Sequence, residues 1–183
     1  MTDKEKIKTS KFLSLVLRHD PSAAGVSMDP RGWVNVASLL RGMREAGYPI
    51  TMSELEQIVA EDNKQRYSFD KFKSHIRANQ GHSVPVDLGL EPTVPPKELF
   101  HGTGVKYMDS IFKEGVKSKS RQYVHLSSDI PTARAVGSRH GDPRILIIDA
   151  YRMYLAGYKF YLSENKVWLT DFVPKEYITV YYE

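Results

Sequence analysis

Cysteine is absent from the 183 residues, which excludes a disulfide framework, a thiolate zinc site and a cysteine nucleophile. No apolar run approaches the ~20 residues that span a bilayer. The opening stretch, Met1-Thr2-Asp3-Lys4-Glu5-Lys6, is charged and has no apolar h-region behind it, so no secretory signal is expected. The setting expected is the reducing cytoplasm, with no membrane partner. Nucleotide loops are missing too: there is no G-x-G-x-x-G and no G-x-x-x-x-G-K-[ST], so neither a Rossmann site nor a P-loop has support. The six histidines are scattered, with no H-x-x-x-H or H-E-x-x-H. No metal site is expected, and the mechanism should be metal-free.

Charge is present in ordinary amount, with 26 Lys and Arg against 22 Asp and Glu. The net +4 favours polyanionic partners mildly. Periodicity predicts a helix from about Lys4 to His19, with Phe12, Leu13, Val16 and Leu17 on one face. A turn and short strand follow before Val36. Asn35 offers an N-cap to a helix carrying Val36, Leu39, Leu40 and Met43, closed by Gly47. Thr51-Met52-Ser53-Glu54 is a capping-box pattern that opens a third helix through Leu55, Ile58 and Val59. Arg66 to Phe69 alternates like a strand, and Ser74 to Arg77 returns antiparallel across the turn at Asp70 to Lys73. Helices followed by a hairpin is the winged-helix order. Residues 81–96, with four prolines and little periodicity, read as a linker.

The second lobe, residues 97–183, is predicted to hold strands near 98–101, 123–127, 144–149, 158–162, 167–170 and 177–182. Helices are expected at 105–114 and 129–139, and the later strands follow one another with short breaks. The fold class is therefore α+β with a largely antiparallel or mixed sheet.

Three groups of residues carry candidate chemistry. Arg18 and His19 stand where the first helix must stop, ahead of Pro21. Cations gather at helix C-termini for dipole reasons alone, so this pair needs company to count as a site. Arg66 and Arg121 are the company proposed, and either alone reads as a solvated surface arginine. His101-Gly102-Thr103 and His125-Leu126-Ser127 each place an imidazole and a hydroxyl two residues apart on one strand face. Two H-x-[ST] elements also describe the 2H phosphoesterases, in which they normally lie much further apart.

Several ordered motifs together resemble a known family. Leu17-Arg18-His19, Asn63-Lys64-Gln65-Arg66-Tyr67-Ser68-Phe69, Ile76-Arg77-Ala78-Asn79-Gln80-Gly81-His82-Ser83, His101-Gly102-Thr103, Ser120-Arg121-Gln122-Tyr123-Val124-His125-Leu126-Ser127 and Asn165-Lys166-Val167-Trp168-Leu169-Thr170 occur in the order found in the RNA/tRNA 2′-phosphotransferases (KptA-like). The match covers almost the whole chain. The resemblance implies a winged-helix-like lobe over 1–80 that binds the RNA 2′-phosphate. It also implies an ADP-ribosyltransferase-like, NAD-binding lobe over 97–183. Arg18, His19, Arg66 and Arg121 would form the catalytic tetrad. His101, Gly102, Thr103, His125, Ser127 and Arg139 would bind NAD, a co-substrate that is consumed. The implied activity moves an internal RNA 2′-phosphate to NAD in two steps, as in tRNA splicing. The products are 2′-OH RNA, ADP-ribose 1″,2″-cyclic phosphate and nicotinamide. The chain is expected to act as a monomer on tRNA-like or other RNA. Tyr67 and Lys166 depart from the family pattern, which has Phe and Gly there. A 2H-type RNA phosphoesterase and a non-catalytic winged-helix nucleic-acid-binding module are the alternatives.

Overall fold

The computed structural model describes residues 1–183, and the chain divides into two compact units, Met1–Gly89 and Leu90–Glu183. The first opens with α1 (Asp3–Arg18). Thr2 and Glu5 cap its start reciprocally, and His19 is its C-cap. A short 3-10 helix, Pro21–Ala24, follows, then β1 (Val34–Asn35), α2 (Val36–Glu45) and α3 (Met52–Glu61). Both expected N-caps are made. Asn35 accepts from the Ser38 amide, and Thr51 and Glu54 close the capping box. The hairpin is β2 (Tyr67–Phe69) and β3 (His75–Ala78), with Tyr67 opposite Ala78 and Phe69 opposite Ile76. β1 adds antiparallel to the other edge of β3, giving the order β1-β3-β2. Leu13, Val16 and Leu17 of α1 are fully buried with Leu39, Met43, Leu55 and Ile76. Each such side chain contributes about 1.5–3 kcal/mol by leaving water, which fixes where the end of α1 lies in the unit.

The second unit runs β4 (Leu99–Gly104), a 3-10 turn leading into α4 (Met108–Glu114), β5 (Val116–Lys117), β6 (Val124–Leu126) and α5 (Ile130–Gly137). A 3-10 turn at Ser138–His140 leads to β7 (Pro143–Ile148), α6 (Ala150–Leu155), β8 (Phe160–Leu162), β9 (Trp168–Thr170), β10 (Phe172–Val173) and β11 (Ile178–Val180). Every pairing is antiparallel: β11-β7-β4, β6-β9-β8 and the ribbon β10-β5. A bridge between Phe100 and Ser127 joins β4 to the end of β6. The α+β class expected from sequence is what the chain adopts.

The structure differs from the sequence reading in several details, among them the unexpected ribbon of β5 with β10. α6 stands between β7 and β8, where only a short break was expected. β4 also continues through Gly104 because its pairing with β7 runs unbroken from Leu99 to Gly104. No helix is long and apolar enough to cross a membrane.

Candidate functional site

In the first unit the end of α1 presents Arg18 and His19. Arg18 is only 8% exposed, which is unusual for an arginine whose helix-terminal position already suits its charge. Its carbonyl accepts from the Ser83 amide at 2.9 Å, and the Ser83 hydroxyl lies 2.8 Å from His19 Nδ1. Gly81 adopts φ +89, and a Cβ there would stand 3.2 Å from both Cζ and Nε of Arg18. The bare glycine backbone therefore lies directly against the guanidinium.

Arg66 is set at the start of β2 by the turn that leaves α3. Asp62 receives its backbone amide at 2.8 Å and its Nη1 at 2.5 Å. The Arg66 carbonyl accepts from the Asn79 amide at 2.7 Å. Tyr67, next in the chain, is buried, and that burial pushes its phenol pKa up. A hydrogen bond with Ser14 and the charges of Arg18 and Arg66 oppose the rise. Where the family pattern has Phe, Ser14 gives the extra hydroxyl its partner. The geometric link between the two arginines is the segment after β3, whose Asn79 amide donates to the Arg66 carbonyl and whose Ser83 amide donates to the Arg18 carbonyl.

The second unit holds a different kind of array. Arg121 Nη1 lies 3.0 Å from His125 Nδ1. A guanidinium has no acceptor, so it donates, and Nδ1 of His125 receives. His125 is thereby neutral with its proton on Nε2. The His125 carbonyl lies 3.0 Å from His101 Nδ1. A carbonyl only accepts, so the His101 ring carries its proton on Nδ1. Burial pushes the His101 pKa down, while that hydrogen bond opposes the shift. Arg121 is itself partly desolvated, which lowers its pKa from the usual arginine value.

The remaining candidates in this unit are placed as follows. Thr103 is buried on β4. Ser127 exchanges both backbone hydrogen bonds with Phe100, each at 2.8 Å. Gly102 has a packing reason of its own, since a Cβ there would lie 1.7 Å from the Ala133 carbonyl oxygen and 2.8 Å from the Gly137 amide. Only glycine lets α5 seat on β4. Arg139 is exposed on the short Ser138–His140 turn, outside the Arg121–His125–His101 chain.

Sequence reasoning gave no role to Asp62, Asn79, Gly81 or Ser83, which hold the arginines, nor to Tyr107, Lys119 and His140. Those last three group beside His101: Lys119 Nζ sits 4.1 Å from the Tyr107 ring centroid, His140 meets the same ring edge-on, and Lys119 adds a small lowering of the His101 pKa. The signal for Asn79 to Ser83 was their place inside one of the ordered motifs.

The family model described as "RNA 2′-phosphotransferase, Tpt1 / KptA family" matches residues 4–172. The chain belongs to this family. It is 53% identical over 178 residues to a protein of Nostoc punctiforme, covering 97% of this chain and 98% of that one. It is 50% identical over 172 residues to a protein of Agrobacterium fabrum, covering 94% and 92%. A protein of Fusobacterium nucleatum is 50% identical over 173 residues, covering 94% and 97%. All three carry the name "Probable RNA 2′-phosphotransferase". For this RNA 2′-phosphotransferase family member the class is a transferase, and neither the phosphoesterase nor the purely binding alternative is needed.

Proposed function

We propose that this protein removes an internal 2′-phosphate from RNA by transferring it to NAD, giving 2′-OH RNA, ADP-ribose 1″,2″-cyclic phosphate and nicotinamide. The observation that carries the reading is in the first unit: the backbones of Arg18 and Arg66, 48 positions apart in the sequence, are both hydrogen-bonded by one short segment, through the Ser83 and Asn79 amides. Guanidiniums stay charged and bind phosphate oxygens bidentately, which suits a dianion that must be held while it reacts. Arg18, His19 and Arg66 clamp the RNA 2′-phosphate. Arg121 stabilises the charge that builds on phosphorus as the group is transferred. His19 contributes a hydrogen bond from its ring to a phosphate oxygen.

The donor set of the second unit suits NAD. The exposed Arg139 offers positive charge to a pyrophosphate. Burial favours the neutral form of His101 and the Arg121 donation that of His125, so neither repels the cationic nicotinamide ring. The hydroxyls of Thr103 and Ser127 supply donors for ribose, and Gly102 keeps α5 close to β4. NAD brings to the reaction an electrophilic ribose carbon with a leaving group attached. The architecture that goes with this reading is a winged-helix-like lobe within Met1–Gly89 and an ADP-ribosyltransferase-like lobe within Leu90–Glu183. The three helices and the β1-β3-β2 order support the first assignment, and the short antiparallel sheets of the second unit support the last. The working form is a cytoplasmic monomer that needs no metal.

The test uses an oligonucleotide with a single internal 2′-phosphate, incubated with the full-length protein and NAD. Nicotinamide and dephosphorylated RNA should appear in equal amounts with a chelator present. Release of inorganic phosphate without nicotinamide, or opening of a 2′,3′-cyclic phosphate without NAD, would overturn the reading.

A further inference from the structure

One five-residue segment, Asn79 to Ser83, grips both arginine-bearing strands of backbone in the first unit. Its Asn79 amide donates to the Arg66 carbonyl, and its Ser83 amide donates to the Arg18 carbonyl. The Asn79 side chain adds a donation to the Gln65 carbonyl at 2.7 Å and accepts from the Ser68 hydroxyl at 2.9 Å. Between these anchors, Gly81 lies flat against Arg18, and His82 is 2% exposed. A side chain at Gly32 would come within 3.3 Å of the His82 ring, so the segment is seated on its far side too. The Ser83 side chain reaches the candidate tetrad directly, with its Oγ 2.8 Å from His19 Nδ1.

We propose that Ser83 is a positioning residue for His19: its hydroxyl donates to Nδ1 and so keeps the proton of the neutral ring on Nε2, the nitrogen that then donates to an oxygen of the anionic substrate. This rests on the reading that His19 meets the RNA 2′-phosphate. A hydroxyl can donate or accept, and the chemistry of the ligand decides between the two. With the proton on Nδ1, the ring would turn a lone pair toward a dianion. With the proton on Nε2, it turns a donor. The Ser83 backbone is fixed by its bond to the residue before His19, so the hydroxyl has a single torsion with which to find the ring, and the ring cannot rotate without losing it. The neighbouring bond to Arg18 means that one residue sets both the guanidinium's backbone and the imidazole's tautomer.

The experiment labels the histidines of the full-length protein with 15N and reads the ring nitrogens through long-range proton coupling at a pH where the rings are neutral. His19 is assigned by difference with a His19→Asn variant. The wild-type spectrum should show a bare Nδ1 and a protonated Nε2 at His19. In Ser83→Ala the two shifts should move toward a common averaged value, and Ser83→Thr should restore the wild-type pattern. Turnover of 2′-phosphorylated RNA should fall about 10-fold to 100-fold in kcat for Ser83→Ala, with recovery in Ser83→Thr. A proton on Nδ1 in the wild type, or shifts unchanged by Ser83→Ala, overturns the proposal. The spectra need neither RNA nor NAD. The expected spectra with no phosphate transfer by the wild type would instead reject the functional reading on which the role rests.

Discussion

The two units of this chain assemble polar groups by opposite means. In the first, cationic side chains are fixed in place: the Arg18 and Arg66 carbonyls accept from backbone amides, and the Arg66 guanidinium donates to Asp62. In the second, imidazoles are kept neutral, His125 by an arginine that can only donate and His101 by burial, against the pull of the carbonyl that accepts from its Nδ1. An anion is met by permanent cations whose stems are fixed, because a mobile arginine gives up side-chain entropy at each encounter. A cationic ring is met by neutral histidines, because a protonated one would repel it. On the proposed function, the first array is a phosphate clamp and the second a frame for the cationic ring of the co-substrate.

Substitutions separate these roles. Arg18→Ala and Arg121→Ala should each fold and lower phosphate transfer by about 10²-fold or more, as loss of a charge-stabilising donor does, measured by nicotinamide release. Full activity in either would break the assignment for its own unit and leave the other standing.

Acid should strike the first unit through His82. Burial, then the charges of Arg18, Arg77 and His19, hold its pKa down from 6.5 to about 4. The unfolded chain therefore binds the proton more readily than the native one. The stabilisation is whole above pH 6.5 and is lost as pH falls toward 4, by up to about 3 kcal/mol. His101 is depressed in the same direction, so the contribution of each is isolated by comparing denaturant unfolding of His82→Gln and His101→Gln between pH 7 and 4. An unchanged pH slope in His82→Gln would show that the histidine is not held neutral in the native state.

Gly102→Ala should destabilise the second unit by about 2–3 kcal/mol, since the added methyl meets α5 backbone that cannot yield as a side chain would. Thermal unfolding measures it, and a loss of activity without a loss of stability would assign Gly102 a direct part in binding instead. The smallest effect should come from Lys166→Gly. Lys166 has φ +67 in the turn that joins β8 to β9, and relief of that left-handed backbone, less the entropy that glycine loses, should add about 0.5–1 kcal/mol.

How far the sequence foretold this follows the range of the contacts. Caps are local, and Asn35, Thr51 and Glu54 announced their helices. The hairpin was legible because Arg66 to Phe69 alternates and Asp70 is a turn residue, and Asp70 does tie the turn to Ser74 and His75. α6 was missed: its six residues, Ala150–Leu155, are too few to display a helical period, and Tyr151 and Tyr154 look like strand residues. Residues 81–96 read as one linker because of their prolines, yet Gly81 and Ser83 pack on the end of α1, a contact across 64 positions that no local pattern encodes. The same distance hid the partners of the site. Arg18, His19, Arg66 and Arg121 were marked by motif order, whereas Asp62, Asn79 and Ser83 acquire their roles only once the chain has folded. Lys166 was visible as a departure from the family's glycine, and its backbone angle gives the physical reason for that glycine.

The claim at the centre is that the clamp of the first unit recognises phosphate on the ribose 2′-oxygen. Its most direct test is the affinity of the full-length protein for two oligonucleotides that differ only in one internal 2′-phosphate, measured without NAD and at one salt concentration. The account predicts that the phosphorylated strand binds at least about 10-fold more tightly, as two charge-assisted pairs allow, and that Arg66→Ala removes the difference. Equal affinity of the wild type for the two strands would contradict it.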